Sequence, residues 1–139
     1  MSIQTRSISL NTQGNADIHD ITNQVAQIVD ESDFNNGMIT LFTSSSTSAI
    51  TTIEYESGCL KDLRRLFDEI ADPQKHYAHN ARWGDGNGHS HVRAALLGPS
   101  LCIPFVNRRL TLGTWQQVIF VDFDNRQRRR ELVVQLIGE

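Results

Sequence analysis

Four of the five histidines lie between residues 76 and 91, among Gly84, Gly86 and Gly88. No helical or strand period runs through that stretch until its end, so it reads as a functional loop, with glycines free to follow a ligand closely. His89 and His91 stand two residues apart, directly before an apolar run at 92–97 that reads as a strand. In extended backbone, residues i and i+2 face one side, so the two imidazoles converge. Zn²⁺ takes nitrogen ligands at about 2.0–2.1 Å in near-tetrahedral array. His79, folding back across the loop, is the expected third ligand, which leaves the open position of a catalytic zinc or one closed by Asp85. The alternative is a set of surface histidines on a flexible loop. His76 and His19 read as structural.

Glu54 and Glu56 flank Tyr55 at the end of an expected strand. On one face, one carboxylate raises the pKa of the other and makes it a general base; the alternative is an exposed strand end. Residues 44–48 carry five hydroxyls in a row. Their hydroxyl and N–H groups form either an anion-holding turn or a plain polar one. Arg126, Arg128, Arg129 and Arg130 enter the last strand, where alternation separates Arg129 from Arg128 and Arg130. That favours a solvated or interface-pairing strand end over a phosphate clamp.

These residues must be positioned by a chain of 139 residues with net charge −3. That length suits one domain, taken as residues 1–139, and the charge points to neither nucleic acid nor an anionic membrane. Cys59 and Cys102 are isolated in apolar runs, as reduced thiols of a cytosolic protein are. The first six residues carry no apolar leader and no apolar run approaches the roughly 20 residues of a membrane span. A cytoplasmic protein is therefore expected. Strands are expected at 2–10, 38–42, 49–54, 92–97, 101–106, 115–123 and 131–137. One helix opens at Asp17 as N-cap, with Ile18, Ile21, Val25, Ile28 and Val29 as its stripe. A second covers 58–70, with Leu60, Leu63, Leu66, Phe67 and Ile70 inward. The expected fold is α+β, two helices on mostly antiparallel sheet.

At these residues the chain resembles the YjbQ family, described as secondary thiamine-phosphate synthases. The resemblance rests on residues 46–51 followed by Glu54, on His79 and Asn80, on 85–93, on 97–101, on 112–116 and on 134–138. It implies a homotrimer with sites at or near subunit interfaces and a bound divalent metal, zinc being the expected ion. It also implies a small phosphorylated substrate. His79, His89 and His91 match the family's His-rich motif and Glu54 its acidic residue. Thr114, Trp115 and Gln116 match its late signature, and Ser46 and Thr47 its hydroxyl motif. Many members carry His where this chain has Ser45, so a role for that His does not carry over.

The implied reaction joins a pyrimidine pyrophosphate to a thiazole phosphate and expels pyrophosphate. Such a site needs a cation at the leaving group, an arginine such as Arg93 for phosphate and a flat surface such as Trp115 or Trp83 for a ring. A three-His ion suits water activation equally, and no Gly-rich phosphate loop is present. A metal-dependent hydrolase and a non-catalytic metal-dependent small-ligand-binding protein therefore stand beside the synthase.

Overall fold

A computed structural model describes residues 1–139. The eleven-residue strand β1 (Ser2–Thr12) pairs antiparallel with the equally long β8 (Arg128–Gly138). On the other side of β8 lies β3 (Gly37–Thr43), followed by β5 (Ser100–Val106) and the short β6 (Arg109–Leu110). A second sheet of three strands has the order β2 (Asp17–Asp20), β7 (Gln117–Asp122), β4 (Ser48–Ile53). All the pairings are antiparallel, as expected from the alternating patterns.

Layer order explains the composition of β7. One face of the small sheet (Ile50, Val118, Phe120) packs with the inner face of the large sheet and with Val25 and Val29 of α1 (Thr22–Asp30). Its other face (Ala49, Ile119, Val121) packs under Leu60 and Phe67 of α2 (Ser57–Ile70) and under Ala94. A strand covered on both faces reads as a continuous apolar run, which is what residues 118–121 are.

Three expectations are corrected. Asp17 opens no helix: it begins β2, whose partner is β7, and α1 starts only at Thr22. Asp20 does the local work instead, accepting from the Thr22 N–H and hydroxyl. The run at 92–97 belongs to a helix, α4 (Gly88–Leu97). Arg93, Ala94 and Leu97 turn inward while Val92 and Leu96 face out, a three- and four-residue spacing that a strand cannot satisfy. Finally, the His-rich stretch is not a loop. It holds α3 (Ala78–Trp83) and the first turn of α4, so the chain has four helices rather than two.

The glycines there serve helix ends. Gly84 closes α3 in the left-handed region at φ 65°, where a Cβ is penalised. At Gly88 a Cβ would lie 2.5 Å from that of Tyr77, so this residue lets α4 start hard against the segment before α3. No helix is long and apolar enough to cross a membrane.

Candidate active site

At one end of the small sheet, Ser48 and Asp17 both pair with Asp122. Several segments meet beyond that point. The turn at residues 44–47 links β3 to β4. The Phe123 N–H, just past β7, donates to the Thr47 carbonyl, and the Ser90 hydroxyl of α4 donates to the Phe123 carbonyl at 2.5 Å. The Asn125 amide donates to the Asp85 carbonyl at 2.7 Å, tying the α3–α4 connection to the same place.

A cavity of about 380 Å³ results, and no hydrophobic side chain lines it. Its walls are residues 44–47, Asp85, Asn87, His91, Asp124, Arg128 and Arg130. Beneath it runs a network of buried charge. Arg130 Nε donates to Asp122 Oδ2 at 2.8 Å, and Arg130 Nη2 donates to Thr47 Oγ1 at 2.9 Å. The Thr47 hydroxyl in turn donates to Asp124 Oδ2 at 3.0 Å, and Arg128 Nη2 lies 3.2 Å from that same oxygen. Burial alone would raise the Asp124 pKa; the Thr47 hydroxyl with Arg128 and Arg130 overrides it and holds the carboxyl below its usual value.

Two arginines facing two aspartates largely cancel, so the cavity attracts through directed N–H and O–H groups rather than through excess charge. Arg128, 35% exposed, keeps the accessible guanidinium. Five buried side-chain atoms in the protein lack a hydrogen-bond partner, and four belong to this end: Asn87 Oδ1, Asp124 Oδ1, His79 Nδ1 and His89 Nδ1. Unpaired buried polar atoms are costly and rare in folded proteins. Of the four, Asn87 and Asp124 line the cavity itself.

The three expected metal-ligating histidines part company. On α4, positions two apart point about 200° from one another, so His89 and His91 diverge. His91 lines the cavity. Its ring lies 4.4 Å, centroid to centroid, from that of His79, whose Nδ1 is 3.3 Å from Asp85 Oδ1. That last pair is close but not aligned as a hydrogen bond. His89 is buried in the helix packing, and burial first, then the Arg93 charge, lowers its pKa. No three His, Cys, Asp or Glu side chains of the chain stand close enough to share a metal ion. His79 and His91 are the two nitrogen donors it does bring together; the set of three does not fit.

Arg93 is displaced by the same change from strand to helix. It is 4% exposed, and its Nε donates to the Ala71 carbonyl at 3.0 Å while Nη2 meets Asp68 at 3.1 Å. That ties α4 to the end of α2 and keeps the Arg93 guanidinium away from the cavity. The paired-carboxylate expectation also changes. Glu56 caps α2 by accepting from the Cys59 and Gly58 N–H groups, which lower its pKa rather than raise it.

Ser46 and Thr47 sit on the cavity, whereas Glu54, Thr114, Trp115 and Gln116 do not. Glu54 follows β4, whose last residue pairs with Gln117, so this group lies past the far end of the small sheet. Five residue steps along β4 put about 17 Å between the two ends. Thr114 and Gln116 line a separate cavity of about 470 Å³ with Arg108, and Trp115 is 71% exposed. Asp122, Asp124 and Asn87 were missed by sequence reasoning. The two aspartates had a signal, an Asp-x-Asp at the end of an apolar strand followed by an Arg-x-Arg opening the next.

The antiparallel two-sheet fold and the polar cavity at its helical edge define the class. Residues 6–139 match the family model described as UPF0047 protein YjbQ-like, and the chain belongs to this family. A UPF0047 protein of Methanothermobacter thermautotrophicus is 36% identical over 94% of this chain and 90% of its own length. One from Archaeoglobus fulgidus is 34% identical over 91% and 96%. Among solved structures, a YbjQ-like protein of unknown function from Sulfolobus solfataricus superposes with a TM-score of 0.93, at 33% identity and 99% coverage of both chains. An uncharacterized conserved protein of the family from Clostridium acetobutylicum gives 0.86 at 34% identity, covering 95% of this chain and 99% of its own.

Proposed function

We infer that this protein is an enzyme acting on a small phosphorylated substrate, held at the polar cavity. The observation that carries the reading is the meeting of the 44–47 hydroxyls, Arg128 and His91 in a cavity without a single hydrophobic wall residue. Thiamine phosphate formation is the reaction we assign to it. The thiazole nitrogen attacks the methylene carbon of the pyrimidine pyrophosphate, and the carbon–oxygen bond breaks with its electron pair leaving on pyrophosphate. Arg128 and the hydroxyl and N–H groups of residues 44–47 hold the oxygens where that charge develops. A divalent ion, zinc by the donor types, belongs to the proposal with His79 and His91 as its protein donors; when bound it adds charge neutralisation at the leaving group.

The proposal includes a homotrimer, in which the far end of one subunit's small sheet faces the cavity of the next. It is supported by the distance between Glu54 and the cavity, by the exposure of Trp115, and by an exposed cross-strand row of Ile3, Ile137 and Met38 on the large sheet. In that arrangement Glu54 serves as base or water-orienting group, and Thr114, Trp115 and Gln116 hold the ring. A second reading, a phosphate-ester hydrolase, is favoured by one observation. The line Asp85, His79, His91 ends at the cavity and suits a histidine that takes a proton from water.

The test is an assay of purified protein with both thiamine precursors, beside a panel of phosphate monoesters and with metal content measured on the same sample. Thiamine phosphate as the favoured product supports the synthase. A higher kcat/KM for an ester replaces it with the hydrolase, and binding without turnover of any of them leaves a ligand-binding protein.

A further inference from the structure

Beside the polar cavity lies a second one of about 300 Å³, and the two share Ser45, Ser46 and His91. Its remaining walls include Ala94, Ala95 and Pro99, with Ser48. The serines are less polar here than their names suggest. The Ser48 hydroxyl is engaged with Thr43 Oγ1 at 2.8 Å, and Ser45 Oγ accepts from the Thr47 N–H at 3.2 Å. Both therefore turn carbon toward the space, as do the alanines and the proline. His91 stands at the junction, with a polar compartment on one side and an apolar one on the other.

We propose that Ala95 is a specificity-determining residue: its methyl sets the size of the organic group that a phosphorylated substrate can carry past His91. This rests on the reading of the polar cavity as the phosphate site. A volume near 300 Å³ is at the lower end for ligand pockets, so it admits one small flat ring. Ala95 is exposed on α4 and packs in neither core cluster. A larger aliphatic side chain there narrows the compartment without disturbing the fold, and leucine keeps the helix propensity. Ala94, by contrast, is 5% exposed and part of the core, so it cannot be enlarged cleanly.

The experiment compares inorganic phosphate with phenyl phosphate, titrated into the wild-type protein and into Ala95→Leu. Wild type should bind phenyl phosphate about tenfold tighter than phosphate, the effect of burying much of one ring. In Ala95→Leu that advantage should fall to twofold or less while phosphate affinity stays unchanged. An undiminished advantage in the variant overturns the compartment but leaves the phosphate reading standing. Wild-type protein that binds neither ligand overturns the phosphate reading, and this proposal with it.

Discussion

The two ends of the three-stranded sheet are built from the same strands and differ in almost everything else. At the Asp122 end, charged side chains are buried and bonded to one another: Asp122 is fully buried, Asp124 is 2% exposed and Arg130's side chain 14%. At the Gln117 end, Glu54, Trp115 and Gln116 lie in the open, and Gln116 mostly bonds its own turn, accepting from the Gly113 N–H. The first end is organised by its own chain. The second presents exposed side chains whose few hydrogen bonds are local. A residue's chemical type therefore says little about its role until its surroundings are known, and substitutions at the two ends should separate stability from function.

The largest effect is expected at Asp124. Asp124→Asn leaves Arg128 and Thr47 facing a neutral amide in a buried network and should lower stability by about 3 kcal/mol, measured by urea unfolding at pH 7. The same group sets an acid limit. Its folded pKa lies below the unfolded value, so its stabilisation is complete above pH ~4 and fades as pH falls through the folded pKa. The wild-type curve should drop steeply there, and the Asn variant's should be flatter. Parallel curves would show that the network contributes nothing specific.

Next come the paired substitutions His89→Ala and His91→Ala. Removing the buried His89 ring should cost about 2 kcal/mol, whereas His91→Ala should stay within about 0.5 kcal/mol. Metal content and turnover should behave oppositely, lost in His91→Ala and retained in a folded His89 variant. Equal metal loss in both, measured by elemental analysis, would restore the three-histidine set.

At the open end, Trp115→Ala should leave thermal unfolding of the subunit within experimental error while weakening assembly. Light scattering reads this directly, against the mass of three times 15.7 kDa that the proposed trimer requires. A monomeric wild type would break the comparison, because the open end would then have no neighbour. The smallest structural effect is expected for Glu54→Gln, with unchanged size, metal and stability but reduced turnover.

Much of the architecture was legible in the sequence. The alternation of β1 and β8 and the buried run of β7 each follow from one periodicity, and so does the inward stripe of α2 at Leu60, Leu63 and Phe67, although Leu66 and Ile70, expected inward with them, are exposed. The His-rich segment was not, because α3 buries no residue and α4 opens on glycine. Neither carries an apolar stripe at its start, and Gly84 and Gly86 between them, with Gly88 next, imitate a loop. That single misreading moved His89 and Arg93 to the wrong place, since an i, i+2 argument holds only for extended backbone. The hydroxyl run at 44–48 and the Asp and Arg pairs around the β7–β8 turn were each visible. Their convergence was not, because it depends on β7 lying between β2 and β4, pairings between segments far apart in the sequence.

Chain order has a kinetic consequence at β8. This strand lies between β1 and β3 in the large sheet, yet it comes after every other element in sequence. During synthesis, β1 and β3 emerge with an unfilled gap between them, and neither gains its main partner until residue 138 has been made. Contacts so distant in sequence are slow to form, in the millisecond-to-second range for domains dominated by them. The unpaired edges of β1 and β3 are exposed to wrong partners throughout that interval. The cavity, whose arginines both belong to β8, is therefore completed only once that strand has joined β1 and β3.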